Sequence, residues 1–278
     1  MAFFLGIDGG GTGCRAALAD ADGRIVGQGQ GGPANINTDV EGAAVSILQA
    51  TAEAVEGTGA DPRDLIATLG LAGGTMAAAT ERLSLLLPFA RVQIVNDGVT
   101  AARGALGMQD GILAAMGTGS VFAVQRGGAL RQVGGRGFLM GDEGSGAVLG
   151  RALLSLAMRA EDGFAPMTPL LQDLLGELGG VEGIIRFGNT ARPADFARLA
   201  PRIVAGEDPA ARQVFDAAVA EVRHILTMLQ ADAPLPVVFV GGLGPAYAAR
   251  LTDWPQRHAL GSGVDGALLM ARQMAGAA

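Results

Sequence analysis

The segment Gly6-Ile7-Asp8-Gly9-Gly10-Gly11-Thr12-Gly13 returns in altered form as Met116-Gly117-Thr118-Gly119-Ser120, about one hundred residues further on. Each copy lies between two apolar runs, Phe3 to Ile7 and Cys14 to Ala19 in the first, Ile112 to Met116 and Val121 to Val124 in the second. An apolar run, a glycine-rich break and another apolar run make the pattern of a β-hairpin. The first copy continues through Asp22-Gly23 into a strand Arg24 to Gly27, the second through Gly127-Gly128 into Ala129 to Val133. Two units of three antiparallel strands are expected, one early in the chain and one past its first third.

Glycines at both tips let main-chain N–H groups converge with no Cβ between them, and converging amides form a concavity for anions. The hydroxyls of Thr12 and Thr118 add donors. Either tip alone reads first as a plain turn; repetition at the same topological point favours two clamps on one polyphosphate. All 20 basic residues are arginine, so a Walker A loop, a protein-kinase fold and a pyridoxal phosphate Schiff base, each of which needs a lysine, are excluded. Phosphate has to be handled by backbone amides and a divalent cation.

Composition narrows the remaining classes. With 278 residues, 49% of them hydrophobic and 17% charged, the chain can bury about two cores. A net charge of -7 with no basic cluster argues against nucleic acid as a partner. No apolar run reaches membrane-spanning length, and the stretch before Asp8 lacks the features of a secretory leader, so no membrane association and a cytoplasmic location are expected. Cys14 is the single cysteine and His224 and His258 the only histidines, which leaves oxygen ligands for any metal.

Between the repeats, a helix from Val40 to Val55 with Asp39 as its N-cap, a strand Leu65 to Leu71, a helix Met76 to Leu87 and a strand Arg91 to Val95 form a strand-helix-strand crossover. Asp97 then falls where a strand ends and a helix Val99 to Leu106 begins. It reads either as that helix's N-cap or as a carboxylate aimed into the crevice at the end of an α/β sheet. Past the second repeat, the glycine-rich stretch Gly134 to Gly146 holds Asp142 and Glu143 before a helix Ala147 to Met158. These two read either as charges placed for the helix dipole or as groups beside a ligand the backbone approaches closely. Helices broken at Pro166, Pro193 and Pro209 follow. A strand Pro236 to Val240 then ends in Gly241-Gly242-Leu243-Gly244, which could seat an adenosine or merely turn, and a last helix runs from Gly263 to Ala275.

Taken in order, Gly6-Ile7-Asp8-Gly9-Gly10-Gly11-Thr12, Asn96-Asp97, Gly117-Thr118-Gly119-Ser120 and Gly241-Gly242 resemble the sugar kinase, Hsp70 and actin superfamily over essentially the whole chain. Within it the chain is similar to the N-acetylglucosamine kinase and BadF/BadG/BcrA/BcrD ATPase group, and there to bacterial glucosamine kinases, through Gly13-Cys14-Arg15, Ala34-Asn35-Ile36, Gly134-Gly135-Arg136 and Gly144-Ser145-Gly146-Ala147-Val148. The resemblance implies an α/β fold of two ribonuclease H-like (actin-like ATPase) domains, mixed sheets flanked by helices, with an interdomain cleft. Their expected extents are 1–107 and 108–278, the last helix returning to the first domain. It implies ATP and magnesium, with Asp8 holding the metal and Gly10, Gly11, Thr12, Gly13, Arg15, Thr118, Gly119, Ser120, Gly241 and Gly242 binding the nucleotide. Asp97 would be the catalytic base for a sugar 6-hydroxyl. Asn35, Asp97, Gly119, Gly135, Arg136, Gly137, Asp142 and Glu143 would contact the sugar, and a homodimer is expected.

Animal N-acetylglucosamine kinases carry an aromatic residue where this chain has Arg136, which favours glucosamine over N-acetylglucosamine as acceptor. Two rivals remain at this stage. An ATPase activator of the 2-hydroxyacyl-CoA dehydratase or benzoyl-CoA reductase type shares the hairpins but needs cysteines for a bridging iron-sulfur cluster. A non-enzymatic sugar-sensing relative would have no use for Asp97 together with both phosphate loops.

Overall fold

A computed structural model describes residues 2–231 and 233–276. It opens with β1 (Phe4–Gly9), β2 (Cys14–Ala19) and β3 (Ile25–Gly31), paired antiparallel, with Asp8 opposite Arg15 and Gly9 opposite Cys14 at the first tip. After α1 (Val40–Val55) come β4 (Ile66–Leu71), α2 (Ala77–Leu86), β5 (Arg91–Asn96) and α3 (Asp97–Leu106). β4 lies parallel to β1 and β5 parallel to β4, giving the sheet order β3-β2-β1-β4-β5. The crossover expected from the strand-helix-strand pattern is present.

Alternation along β1 explains how this sheet is covered, because successive side chains leave opposite faces of a strand. Leu5 and Ile7 join Ile47, Ala50 and Ala54 of α1 in one cluster. Phe4 and its neighbours Ala17 and Ala19 on β2 meet Leu268 and Ala271 of the last helix, α11 (Gly263–Met274). The helix crosses at Gly6, where an added Cβ would lie 2.6 Å from the backbone nitrogen of Leu268. Glycine at that point is a packing requirement.

The second repeat supplies β6 (Gly111–Met116), β7 (Ser120–Arg126) and β8 (Ala129–Val133). Then follow α4 (Gly146–Glu161), α5 (Pro169–Leu178), α6 (Gly180–Thr190), α7 (Pro193–Ala197), α8 (Ala200–Val204) and α9 (Pro209–Leu229). β9 (Val237–Val240) runs parallel to β6, the sheet order is β8-β7-β6-β9, and α10 (Gly244–Arg250) follows β9. Pro193 and Pro209 each open a helix, where the missing N–H is no loss.

Packing divides the chain into two compact units. One comprises Met1–Gly111, Gln125–Gln132 and His258–Ala278, the other Ile112–Val124 and Val133–Arg257. Each has its own core, centred on Leu5, Ile7, Ile47 and Leu69 in the first and on Met116, Phe122, Leu153 and Tyr247 in the second. No helix among the described residues is long and apolar enough to cross a membrane.

Candidate functional site

In the first unit the tip of the β1–β2 hairpin borders a cavity of about 390 Å³ lined by Asp8, Gly9, Gly10, Thr12, Gly13, Cys14, Arg15, Gln30, Gly31 and Asp97. The loop is braced from within: Gly10 N–H donates to the Gly13 carbonyl at 3.0 Å, and Ala34 N–H donates to that of Gly10 at 2.9 Å. The amides of Gly11 and Thr12 donate to no acceptor among the described residues. A Cβ at Gly10 or Gly11 would meet nothing within 4 Å. These two glycines leave the space in front of free amides open, which suits an anion.

Asp8 is the penultimate residue of β1, beside this loop, with Arg15 Nη2 at 3.2 Å from its carboxylate. Burial pushes the Asp8 carboxyl above the usual aspartate range, and Arg15 works against that shift. A Cβ on Gly263 would lie 2.8 Å from the Asp8 carboxyl carbon, so the first residue of α11 abuts it. Nothing in the local sequence around Gly263 signals this approach.

Asp97 is the first residue of α3, and the capping duty considered for it belongs mainly to its neighbour. The Asn96 side chain accepts from Gly98 N–H at 3.0 Å and Asn96 is the N-cap, with Asp97 Oδ1 sharing that donor at 2.9 Å. Burial raises the Asp97 carboxyl, the Gly98 amide lowers it, and the charge of Asp8 raises it further. The result is a carboxylate more basic than an exposed aspartate, facing the same cavity as Asp8 and the loop. Asn35 is not on that wall; its Oδ1 accepts from Asn37 N–H at 3.0 Å in a local turn. Gln30 and Gly31 are on the wall, brought there by the pairing of β3 with β2, and carried no motif that could have singled them out.

The second unit repeats the arrangement at the β6–β7 tip. Gly117 N–H donates to the Gly119 carbonyl at 2.9 Å, while the amides of Thr118 and Gly119 donate to no described acceptor. The carbonyls of Gly117 and Thr118 accept from Gly146 and Ala147 at 2.8 and 3.1 Å, which satisfies the first amides of α4. Ser145 caps α4, its hydroxyl accepting from Val148 N–H. Neither Asp142 nor Glu143 caps α4 or lies in its first turn.

Asp142 instead ties loops together. It is the one non-glycine residue with positive φ among those described, at 58°, and its Oδ1 accepts from Gly137 N–H at 3.1 Å. Burial raises its carboxyl, the amides of Gly137 and Ser120 lower it, and Glu143 beside it raises it. Ser120 Oγ donates to the Glu143 carbonyl at 2.8 Å, so the glycine loop 134–144 is fastened to the β6–β7 tip at two points. Gly135, Arg136 and Gly137 are exposed on that loop. Gly241, at φ 86°, passes so near the Met116 carbonyl that a Cβ would lie 2.4 Å from it, whereas Gly242 has open space around it.

No group of three or more His, Cys, Asp or Glu side chains among the described residues is arranged to hold a metal. Magnesium suits what is present: it is commonly bound by one or two carboxylates plus substrate phosphates, keeping several waters. Asp8 offers one such carboxylate beside free backbone donors.

Comparison with known proteins gives consistent similarities. The model of the BadF/BadG/BcrA/BcrD ATPase family matches residues 5–267. The glucosamine kinase GspK of Vibrio cholerae serotype O1 is 32% identical over 262 residues, 91% of this chain and 88% of its own length. An N-acetylmuramic acid/N-acetylglucosamine kinase of Clostridium acetobutylicum is 29% identical over 184 residues, 63% of this chain and 60% of its own. A solved structure from Chromobacterium violaceum, assigned by inference as an N-acetylglucosamine kinase, superposes with a TM-score of 0.84 at 32% identity, covering 98% of this chain and 99% of that one.

Proposed function

Because the chain belongs to the BadF/BadG/BcrA/BcrD ATPase family, we propose that it transfers the γ-phosphoryl group of ATP to the 6-hydroxyl of an amino sugar, with glucosamine as acceptor and N-acetylglucosamine as the alternative. The observation that carries this reading is Asp97: capping of α3 centres on Asn96, burial makes the carboxylate more basic, and it lines one cavity with Asp8 and with Thr12, whose amide donates to no described acceptor. The relative named a glucosamine kinase supports the choice of acceptor.

In the proposed reaction Asp97 accepts the proton of the 6-hydroxyl as that oxygen forms its bond to the γ-phosphorus and the bond from phosphorus to the β–γ bridging oxygen breaks. A carboxylate suffices, since phosphoryl transfer rests on positioning and charge neutralisation. The amides and hydroxyls of Gly10 to Gly13 and of Thr118, Gly119 and Ser120 bind phosphate oxygens, with Arg15 adding positive charge. Magnesium, when bound, would be held by Asp8 and would neutralise charge on the phosphates. Gly241 and Gly242 face the adenosine. Asn35, Asp142 and the backbone of Gly119, Gly135, Arg136 and Gly137 orient the sugar hydroxyls, and Glu143 pairs with a protonated 2-amino group.

The redox-activator alternative lacks the cysteines that a bridging iron-sulfur cluster needs. Cys14 is the single cysteine, is buried, and donates to the Ser46 carbonyl inside the first core. An ATP-coupled assay over glucosamine, N-acetylglucosamine, N-acetylmuramic acid and glucose tests the proposal. The highest kcat/KM is expected for glucosamine; a clear preference for an acetylated sugar would overturn the acceptor, and turnover of none would overturn the kinase.

A further inference from the structure

Tyr247 has no part in the reaction just described, yet it is the chain's one tyrosine and is fully buried. It sits on α10, directly after the Gly241-Gly242 turn, with its ring against Phe215 of α9, centroids 5.3 Å apart at 60°. Its hydroxyl donates to the Gly144 carbonyl at 2.6 Å, across 103 residues of chain. Gly144 is matched to it: φ is 72°, and a Cβ there would stand 2.8 Å from the phenol oxygen and 2.5 Å from Val222. A phenylalanine would fill the same apolar volume, so the hydroxyl is present for the carbonyl it holds.

The position of that carbonyl gives the bond its meaning. Gly144 follows Glu143, whose own carbonyl is held by Ser120 Oγ at 2.8 Å, and Asp142, whose carboxylate is held by Gly137. At the N-cap of α10, Leu243 N–H donates at 2.9 Å to the carbonyl of Met116, the last residue before the second phosphate loop. The loop 117–120, the loop 134–144 and the turn 241–244 thus form one closed circuit within the second unit. Tyr247 is its one side-chain link between α10 and the Asp142–Glu143 loop among the bonds described.

We propose that Tyr247 is a positioning residue that couples nucleotide binding at Gly241-Gly242 to the loop carrying Asp142 and Glu143, so that bound nucleotide orders the acceptor side of the site. The proposal rests on the assignment of the turn to nucleotide and of the loop to sugar. Coupling of this kind is reciprocal, so bound sugar must also tighten nucleotide binding by the same factor.

The test is hydrogen exchange and calorimetry on the full chain and on Tyr247→Phe, with the ATP analogue AMPPNP and glucosamine as probes. In the wild type, AMPPNP alone is expected to protect backbone amides in 137–146 and to tighten glucosamine binding. In the variant, AMPPNP binds as before, but the protection disappears and glucosamine binding in its presence weakens about tenfold, the scale of one buried hydrogen bond. Rescue of neither effect is expected from stabilising salts, which would restore a merely loosened fold. Absence of protection in the wild type would overturn the proposal whether or not the variant folds. So would a variant that unfolds earlier yet keeps the wild-type protection and the wild-type gain in sugar affinity. The exchange readout needs no sugar, so a wrong acceptor assignment, seen as no glucosamine binding to either protein, is told apart from a failure of the coupling.

Discussion

Asp97 and Asp8 show how burial sets the working range of a carboxylate. Both are pushed upward by desolvation, and the charge of Asp8 raises Asp97 further, against an ordinary aspartate value of about 3.9. A base must be ionised to act, so kcat/KM is expected to fall as pH drops through the raised value; a pH profile should place the acid limb above that of an exposed aspartate. For stability the sign is opposite. A carboxyl whose folded pKa exceeds its unfolded value binds more protons when folded, so its cost to stability is present at neutral pH and is relieved as pH falls through the raised pKa. Asp97→Asn is therefore expected to melt at a higher temperature than the wild type at neutral pH, with the difference shrinking in acid, as scanning calorimetry can check. The motif residues around these carboxylates were legible because glycine turns and strand ends are local patterns. The approach of Gly263 to Asp8 and the bond from Tyr247 to Gly144 were not, since each joins segments far apart in the chain.

Secondary structure was most legible where a turn or cap fixes an end. α1 runs Val40–Val55 because Asp39 accepts from Gly42 N–H, and β2 runs Cys14–Ala19 between two turns. At α3 the adjacent pair Asn96-Asp97 offers two capping side chains, and sequence alone gives no means of choosing; the fold uses Asn96 and leaves Asp97 one residue inside the helix. Asn96→Ala should therefore cost about 1 kcal/mol of stability in denaturant melts. It should also lower kcat, because Asp97 is then drawn onto the vacated cap. Glycines that look alike in the sequence separate in the same way. Gly10→Ala places its Cβ in open space, so stability should stay within about 0.5 kcal/mol while KM for ATP rises. Gly241→Ala, at φ 86° and against the Met116 carbonyl, should cost about 1–3 kcal/mol from backbone strain alone.

The repeated hairpins made the two-sheet architecture readable from the sequence, and both sheets carry the expected three consecutive strands at one side. What the repeat does not encode is how chain segments are shared out. The first unit is completed by its most C-terminal described helix, α11, whose Leu268 and Ala271 pack on Phe4, Ala17 and Ala19. Such a docking joins the side-chain alternation in β1 and the space left at Gly6 to the buried face of α11, segments far apart in the chain. Leu268→Ala is expected to destabilise the protein by about 2–5 kcal/mol, the usual range for a buried leucine, and limited proteolysis should then cut first within residues 2–111.

The proposed chemistry turns on one carboxylate, and Asp97→Asn isolates it. Steady-state turnover of glucosamine with ATP is expected to fall by about 10²- to 10⁴-fold, the contribution of a positioned general base, while calorimetry shows AMPPNP and glucosamine binding little changed. Turnover that survives the substitution, with binding intact, would contradict the assignment of Asp97 as the base.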